Sequence, residues 1–130
     1  MNKTILTSGI LLGILGIILG AFGTHGLEKI VNANAVASFE TGVRYQIYHA
    51  LFLLFLGSWE GLGNKQKKLV FITIILGVLL FSFSIYLLAL NGLTTFDFKQ
   101  IAFVTPVGGT FLIFGWFLAG YYILTGKSVK

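Results

Sequence analysis

Four long apolar segments decide what this sequence can fold into. They run from Ile5 to Phe22, Tyr45 to Leu62, Leu69 to Leu90 and Pro106 to Leu124, and each is close to the roughly 20 residues that a membrane-spanning helix needs. Inside a bilayer the backbone must hydrogen-bond internally, so such segments are expected to be helices. The sequence therefore predicts an all-α membrane protein: a single domain, residues 1–130, built as a four-transmembrane-helix bundle.

Composition supports this class and excludes others. Of the 130 residues, 56% are hydrophobic and 10% are charged, whereas soluble proteins carry roughly 25% charged residues. The chain has no cysteine, which excludes disulfides and thiolate metal sites. A net charge of +5 could indicate nucleic-acid binding in a soluble protein, but membrane proteins use lysines outside the spans for orientation. We expect no nucleic-acid partner and no cofactor.

Positive charge is concentrated on one side of the predicted bundle. With four spans, the N-terminus, the second connection and the C-terminus share a side. That side carries six lysines against the single acid Glu60: Lys3, Lys65, Lys67, Lys68, Lys127 and Lys130. The positive-inside rule then predicts that both termini are cytoplasmic. A lipid-binding basic patch is the alternative interpretation of the lysines in the short second connection.

Glycines form a stripe along the first predicted span. They are spaced by alternating steps of four and three residues, which places them on one helix face: Gly9, Gly13, Gly16, Gly20 and Gly23. Small residues let helices approach closely in lipid. We expect another helix to pack there, either from the same bundle or from a second subunit in a homo-oligomer. Weaker stripes on the third and fourth spans predict further packing seams: Thr73, Gly77, Ser84 and Asn91, and Thr105, Gly108, Gly115 and Ala119.

The second span begins with polar residues on two helix faces. Glu40 and Arg44 are four residues apart with the acid first, the orientation that favours an ion pair, and we predict a structural pair that makes the approach to lipid tolerable. Gln46 and His49 fall on the other face and lie deeper in the predicted span. Polar side chains at such depth are costly and suggest function.

Polar residues from all four spans are expected to converge in the outer half of the bundle. The candidate ligand-binding residues are His25, Arg44, Gln46, His49, Ser82, Tyr86 and Thr105. For Ser82 and Tyr86, hydroxyl bonds to carbonyls of their own helix are the alternative. Trp116 near the middle of the fourth span needs an acceptor for its indole N–H, and a polar group across the bundle is the natural candidate. Thr105, just before Pro106, is predicted to cap the start of that helix.

Four blocks of sequence carry a resemblance to a known family. They are Gly20 to Leu27 (GAFGTHGL), Phe39 to Leu51 (FETGVRYQIYHAL), Phe81 to Gly92 (FSFSIYLLALNG) and Thr105 to Trp116 (TPVGGTFLIFGW). In this order they resemble the YgdD/YwdK-like family of small bacterial membrane proteins of unknown function, over essentially the whole chain. The resemblance implies a four-helix, multi-pass protein of the bacterial cytoplasmic membrane. It implies no established activity, substrate or cofactor.

The residues favour a non-enzymatic membrane protein. An enzyme needs a nucleophile, a base or a metal within mutual reach, and two histidines with one acid on two segments form no recognisable metal motif. We therefore expect no catalytic and no metal site. The favoured function is binding of a lipid headgroup, a small ligand or a partner by the outer polar site, with membrane lipids as partners. The alternative is a small proton-coupled transporter acting as a homo-oligomer.

Overall fold

The computed structural model describes residues 1–126, and within that range the chain is helical with no strand. Lys127 and Lys130 lie outside the described residues. The α-helices are α1 (Lys3–His25), α2 (Ala33–Ser58), α3 (Asn64–Val78), α4 (Ser84–Ala89) and α5 (Val104–Thr125). A π-helical turn, Leu79–Phe83, continues α3 directly into α4, and short 3-10 turns occur at Leu27–Lys29, Asn91–Leu93 and Phe98–Ile101. The all-helical fold class is thus as predicted for the described residues.

Local side chains explain where the helices begin. The side chain of Asn2 accepts a hydrogen bond from Ile5 N at 3.1 Å and caps α1, and that of Asn32 accepts from Ala35 N at 2.8 Å and caps α2. Both satisfy an amide that a helix start leaves free. The prediction that Thr105 caps α5 is wrong, because the helix already begins at Val104.

Three segments of the described residues are long and apolar enough to cross a membrane: Lys3–Lys29, Asn64–Ala89 and Phe98–Thr125. The helix α2 has 26 residues but is not one of them, since Arg44, Gln46 and His49 lower its hydropathy. It also starts well before the predicted second span and ends at Ser58 rather than Leu62. The polar residues noted in the sequence are therefore part of a long continuous helix.

The glycine stripe of α1 packs against α2 of the same chain. A Cβ built on Gly9 would lie 2.9 Å from Ala50 O, and one on Gly23 would lie 3.0 Å from Phe39 Cδ1. Between them, a Cβ on Gly16 would lie 2.5 Å from Ile47 Cδ1. As the α1 numbers rise the α2 numbers fall, so the two helices are antiparallel. The expected packing partner is thus a helix of the same chain, and a homo-oligomer stays a prediction.

A second seam joins α3 and the π turn to α5. A Cβ on Gly77 would lie 2.6 Å from Leu112 Cδ2, and one on Gly115 would lie 2.6 Å from Ile74 Cδ1. Gly108 is packed against backbone: a Cβ there would lie 2.5 Å from Leu80 C and would collide with the backbone nitrogen of Phe81. These contacts hold the start of α5 directly on the π turn.

The core lies between these two seams, and large apolar side chains also cover the outside. Leu53 of α2 and Val70 and Ile74 of α3 are completely buried in the larger core cluster. Ile17 of α1 and Phe117 of α5, for example, are 71% and 70% exposed. Outer faces of this kind are suited to lipid rather than water.

Candidate functional site

Gln46 is completely buried and connects three helices. Its Nε2 donates to Leu12 O of α1 at 2.9 Å, and its Oε1 accepts from the hydroxyl of Tyr86 in α4 at 2.6 Å. The close approach of α1 to α2 along the glycine stripe makes the first bond possible, because Gly16 lies beside the amide. A buried amide with both ends paired links the helices without leaving a polar atom in an apolar environment.

Tyr86 lies across α2 because residue 42 is a glycine. A Cβ on Gly42 would lie 2.6 Å from Cε1 of Tyr86, so any larger residue would push the ring away from Gln46. Phe39 packs on the same ring, with centroids 4.8 Å apart. Ser82, also completely buried, donates to Gly42 O at 2.8 Å. The alternative expectation, that these hydroxyls bond within their own helix, is wrong for Ser82 and Tyr86.

Ser84 connects α4 to α5. Its hydroxyl donates to Phe81 O at 2.9 Å, a carbonyl of the π turn, and lies 2.6 Å from Oγ1 of Thr105. Thr105 is thus tied to the neighbouring helix instead of capping its own. The π turn, Leu79–Phe83, places Phe81 in this contact. Single π turns inside an α-helix are frequent at functional sites.

His49 and Trp116 join α2 to α5. The indole Nε1 of Trp116 donates to Nε2 of His49 at 2.9 Å, and His49 Nδ1 lies 2.6 Å from Tyr45 O. A carbonyl can only accept and an indole N–H can only donate, so the imidazole is neutral with its proton on Nδ1. Both ring nitrogens of His49 are therefore occupied by partners within the protein.

A groove of about 440 Å³ opens beside this pair, and we call it the lateral groove. It is lined by Tyr45 and His49 of α2, Phe81 of the π turn, and Gly109, Leu112, Ile113 and Trp116 of α5. Its walls are mainly apolar, and Ile113 and Trp116 are exposed at 72% and 51%. It therefore opens on the outer apolar face of the bundle rather than into a closed interior.

Three residues predicted near the site lie apart from it. His25 is exposed in the last turn of α1. Within residues 1–126 it neither lines the lateral groove nor joins the polar network, that is, the hydrogen bonds between helices made by Gln46, Ser82, Ser84 and His49. The predicted Glu40–Arg44 ion pair is likewise not formed in the described part: both side chains are exposed, and Arg44 donates to Thr41 Oγ1 at 3.2 Å. A hydroxyl one turn back competes with the carboxylate at this exposed position.

Most residues that line the lateral groove were not predicted from the sequence. Tyr45, Phe81 and Gly109 were not among the candidate residues, although all three line the lateral groove. Two lining residues carried a signal: His49 because it is polar and deep in its span, and Trp116 because an indole in the middle of a span requires an acceptor.

The arrangement brings together paired polar groups rather than reactive ones. Within residues 1–126, no buried side-chain nitrogen or oxygen lacks a hydrogen-bond partner, and no group of three His, Cys, Asp or Glu residues could hold a metal. A fully paired polar network stiffens a bundle and selects one packing arrangement. Chemically, the site offers an apolar groove edged by an imidazole and an indole.

A buried lysine at the opposite end of the bundle also escaped prediction. Lys67, assigned from the sequence only to orientation, is 3% exposed, and its Nζ lies 3.5 Å from Gly57 O. The backbone N–H of Asn2 donates to the same carbonyl at 2.8 Å. A cation at the C-terminal end of α2 complements the helix dipole there.

Comparison with known proteins identifies the family. The model of a protein family of unknown function, DUF423, matches residues 19–109. A UPF0382 membrane protein of Haemophilus influenzae is 34% identical over 129 residues, covering 99% of this chain and 100% of the relative. The UPF0382 inner membrane protein YgdD of Escherichia coli K12 is 36% identical over 127 residues, covering 91% and 88%.

A third relative, a UPF0382 membrane protein of Staphylococcus saprophyticus, is 34% identical over 116 residues, covering 89% of this chain and 92% of its own. No solved structure matches the chain. The names of these relatives state a membrane location, and neither they nor the family description state an activity. The resemblance to YgdD/YwdK-like proteins is confirmed, and the chain belongs to the DUF423 family of membrane proteins of unknown function.

Proposed function

We propose that this chain is a four-span protein of the bacterial cytoplasmic membrane, with both termini in the cytoplasm, that binds a membrane lipid in the lateral groove. In this proposal the polar network holds the bundle in shape, and the groove between α2 and α5 takes an acyl chain. The observation that carries the proposal is that the buried polar atoms beside the groove are already paired, which leaves an apolar groove open on the lipid-facing side.

The length and packing of α2 support four spans. Its 26 residues extend about 39 Å at 1.5 Å per residue, more than the roughly 30 Å thickness of a hydrocarbon core. It lies antiparallel to α1 along the whole glycine stripe. Gln46 and His49 face partners inside the bundle, so their polar atoms need not be exposed to lipid.

The absence of cysteine makes this topology testable, since single cysteines can be introduced without background. Lys65→Cys lies in the first turn of α3, next to the connection from α2, and Thr94→Cys lies between α4 and α5; both positions are exposed. A membrane-impermeant maleimide should label Thr94→Cys in intact cells and Lys65→Cys only after lysis. Labelling of both from one side would overturn the four-span topology.

The chemistry of the groove favours a lipid chain over a hydrophilic solute. Leu112, Ile113 and Phe81 form apolar walls. An acyl chain bound against them would bury few polar groups. The nitrogens of His49 are held by Tyr45 and Trp116, so the ligand need supply no hydrogen bond. An acyl chain fits these conditions, whereas a sugar or an amino acid would leave its polar groups unpaired.

The same pairing weighs against proton-coupled transport. A proton relay needs an ionisable group with access to water. His49 is 3% exposed and has both nitrogens engaged, and Glu40 is exposed on another face of α2. A structural role for the hydrogen-bond network explains why both nitrogens of His49 are engaged.

Filling the groove tests the proposal. Gly109→Leu extends a side chain into the lateral groove, because a Cβ there meets only Phe81 Cδ1 at 3.5 Å. Gly120→Leu is the matched control on the same helix, where a Cβ has nothing within 4 Å. Native mass spectrometry with added phosphatidylcholine should show a retained lipid for the wild type and the control and its loss for Gly109→Leu.

Two outcomes would overturn lipid binding at this groove. Equal phosphatidylcholine retention by Gly109→Leu and Gly120→Leu would mean that the groove is not the binding site. A substrate-dependent proton flux in proteoliposomes that His49→Ala abolishes, with thermal stability unchanged, would support the transporter instead.

A further inference from the structure

A second groove lies at the end of the bundle where α1 and α3 begin. Its volume is about 410 Å³, and we call it the basal groove. Its polar side is formed by Asn2, Thr4, Asn64 and Lys68, all from the first two turns of the helices or the residue before them. It shares no lining residue with the lateral groove.

The apolar side of the basal groove lies deeper along the same two helices. It consists of Ile5 of α1 and Phe71 and Ile72 of α3. Leu69 and Leu76, which are exposed at 47% and 41%, continue the apolar surface of α3. The groove therefore changes from polar to apolar over about two helical turns, which matches the polarity gradient of a phospholipid from headgroup to acyl chain.

Charge at the groove has one sign. Lys68 is exposed and lines the groove, and Lys3 and Lys65 are exposed in the first turns of the same helices. No described lining residue is acidic. Lys67 is directed elsewhere, toward Gly57 O. A negatively charged headgroup complements this arrangement, and a zwitterionic one does so less well.

We propose that the basal groove binds one anionic phospholipid, with the headgroup phosphate near Lys68 and Asn64 and an acyl chain along Phe71 and Ile72. The partly free amides at the starts of α1 and α3 add positive potential on the same side. The three lysines at the start of α3 then have separate roles. Lys68 contacts lipid, Lys67 holds the end of α2, and Lys65 contributes only to the general positive charge.

The proposal can be tested on the purified full chain by native mass spectrometry, with phosphatidylglycerol and phosphatidylcholine of identical acyl chains in competition. The wild type should retain phosphatidylglycerol over phosphatidylcholine by about fivefold, the effect expected from one lysine close to a phosphate. Lys68→Gln should remove most of this preference. Lys65→Gln removes the same charge from the same turn outside the groove, and it should leave the preference nearly unchanged.

A shape variant separates the groove from surface charge. Ile72→Trp narrows the apolar side without altering any charge, and Ile72 is 42% exposed, so folding should tolerate the change. It should lower phosphatidylglycerol retention, whereas Ile10→Trp, on the exposed face of α1 at 53%, should not. Thermal unfolding of each variant reports whether it is folded.

Several results would overturn the proposal. Equal losses in Lys68→Gln and Lys65→Gln would mean general electrostatic attraction, and no preference in the wild type would mean no anionic site. Displacement of phosphatidylglycerol by inorganic phosphate at millimolar concentration would identify a free anion as the occupant. Failure here leaves the proposal for the lateral groove standing, because Gly109→Leu changes a residue that lines the lateral groove and not the basal groove.

Discussion

The indole N–H of Trp116 donates to Nε2 of His49 at 2.9 Å, and this bond crosses the bundle from α5 to α2. The rings meet edge to face, with centroids 5.9 Å apart, and Phe52 packs on the indole at 4.4 Å. The pair is held on its other side by Tyr45 O. One hydrogen bond thus connects the middle of α2 with the middle of α5, two helices that are not consecutive in the chain.

Trp116→Phe should destabilise the bundle by about 1 kcal/mol, because it keeps a ring beside Phe52 and removes only the N–H donor. In a double-mutant cycle with His49→Ala, the coupling free energy should be about 0.6 kcal/mol and at most about 1.7 kcal/mol, the average and the maximum for hydrogen bonds between membrane helices. Unfolding in detergent measures both. Trp59→Phe replaces the other of the two tryptophans, in a turn after α2, and should change stability by less than about 0.5 kcal/mol. Zero coupling between residues 49 and 116 would contradict the bond.

Tyr86→Phe should lower the free energy of unfolding by about 1 kcal/mol. The ring can still lie over Gly42, but Oε1 of the buried Gln46 loses its donor. Tyr48→Phe makes the same chemical change on α2 at a position that is 51% exposed, and it should have no measurable effect. Chemical denaturation of the two variants in the same detergent compares them, and equal midpoints would show that the hydroxyl of Tyr86 is not needed.

Gly9→Ala should be destabilising by about 1 to 3 kcal/mol, the usual cost of overpacking, because its Cβ would lie 2.9 Å from the backbone oxygen of Ala50. Gly13→Ala, one turn away on the same stripe, meets only Ala50 Cβ at 3.9 Å. It should be neutral or stabilise by up to about 1 kcal/mol, since alanine is the better helix former. If Gly13→Ala proved the more damaging of the two, the antiparallel register of α1 on α2 would be wrong.

Gly108→Ala should separate α5 from the π turn. The added Cβ would lie 2.5 Å from Leu80 C, and backbone cannot move aside cheaply, so we expect a loss of about 1 to 3 kcal/mol. Gly120→Ala on the same helix has nothing within 4 Å and should be tolerated. Hydrogen exchange should also rise selectively at Leu79–Phe83 in Gly108→Ala; uniform exchange across the chain would instead indicate general unfolding.

Much of the architecture could be predicted because it depends on local patterns. Helical class follows from uninterrupted apolar runs, and the glycine stripe of α1 follows from spacing on a single helix. The need of Trp116 for an acceptor follows from its side chain and its depth. Each of these properties belongs to one segment and requires no knowledge of its neighbours.

The errors concern relations between neighbouring groups. The Glu40–Arg44 pair and the cap at Thr105 were inferred from spacing, but Arg44 donates to Thr41 and Thr105 lies beside Ser84. In each case several partners were within reach, and the surroundings selected one. His25 was expected to converge with the deeper residues, but it ends α1 on an exposed face.

Apolar runs and helical periodicity are enough to predict an apolar helical membrane protein whose polar residues must find partners. Tertiary structure alone decided which partners they find: Leu12 and Tyr86 for Gln46, Trp116 for His49, and Gly57 for Lys67. The physical reason is that hydropathy and periodicity act along one segment, whereas a hydrogen bond requires two atoms within about 3 Å. That distance is set by the antiparallel register, by the glycines that let backbones approach, and by the π turn that orients the serines.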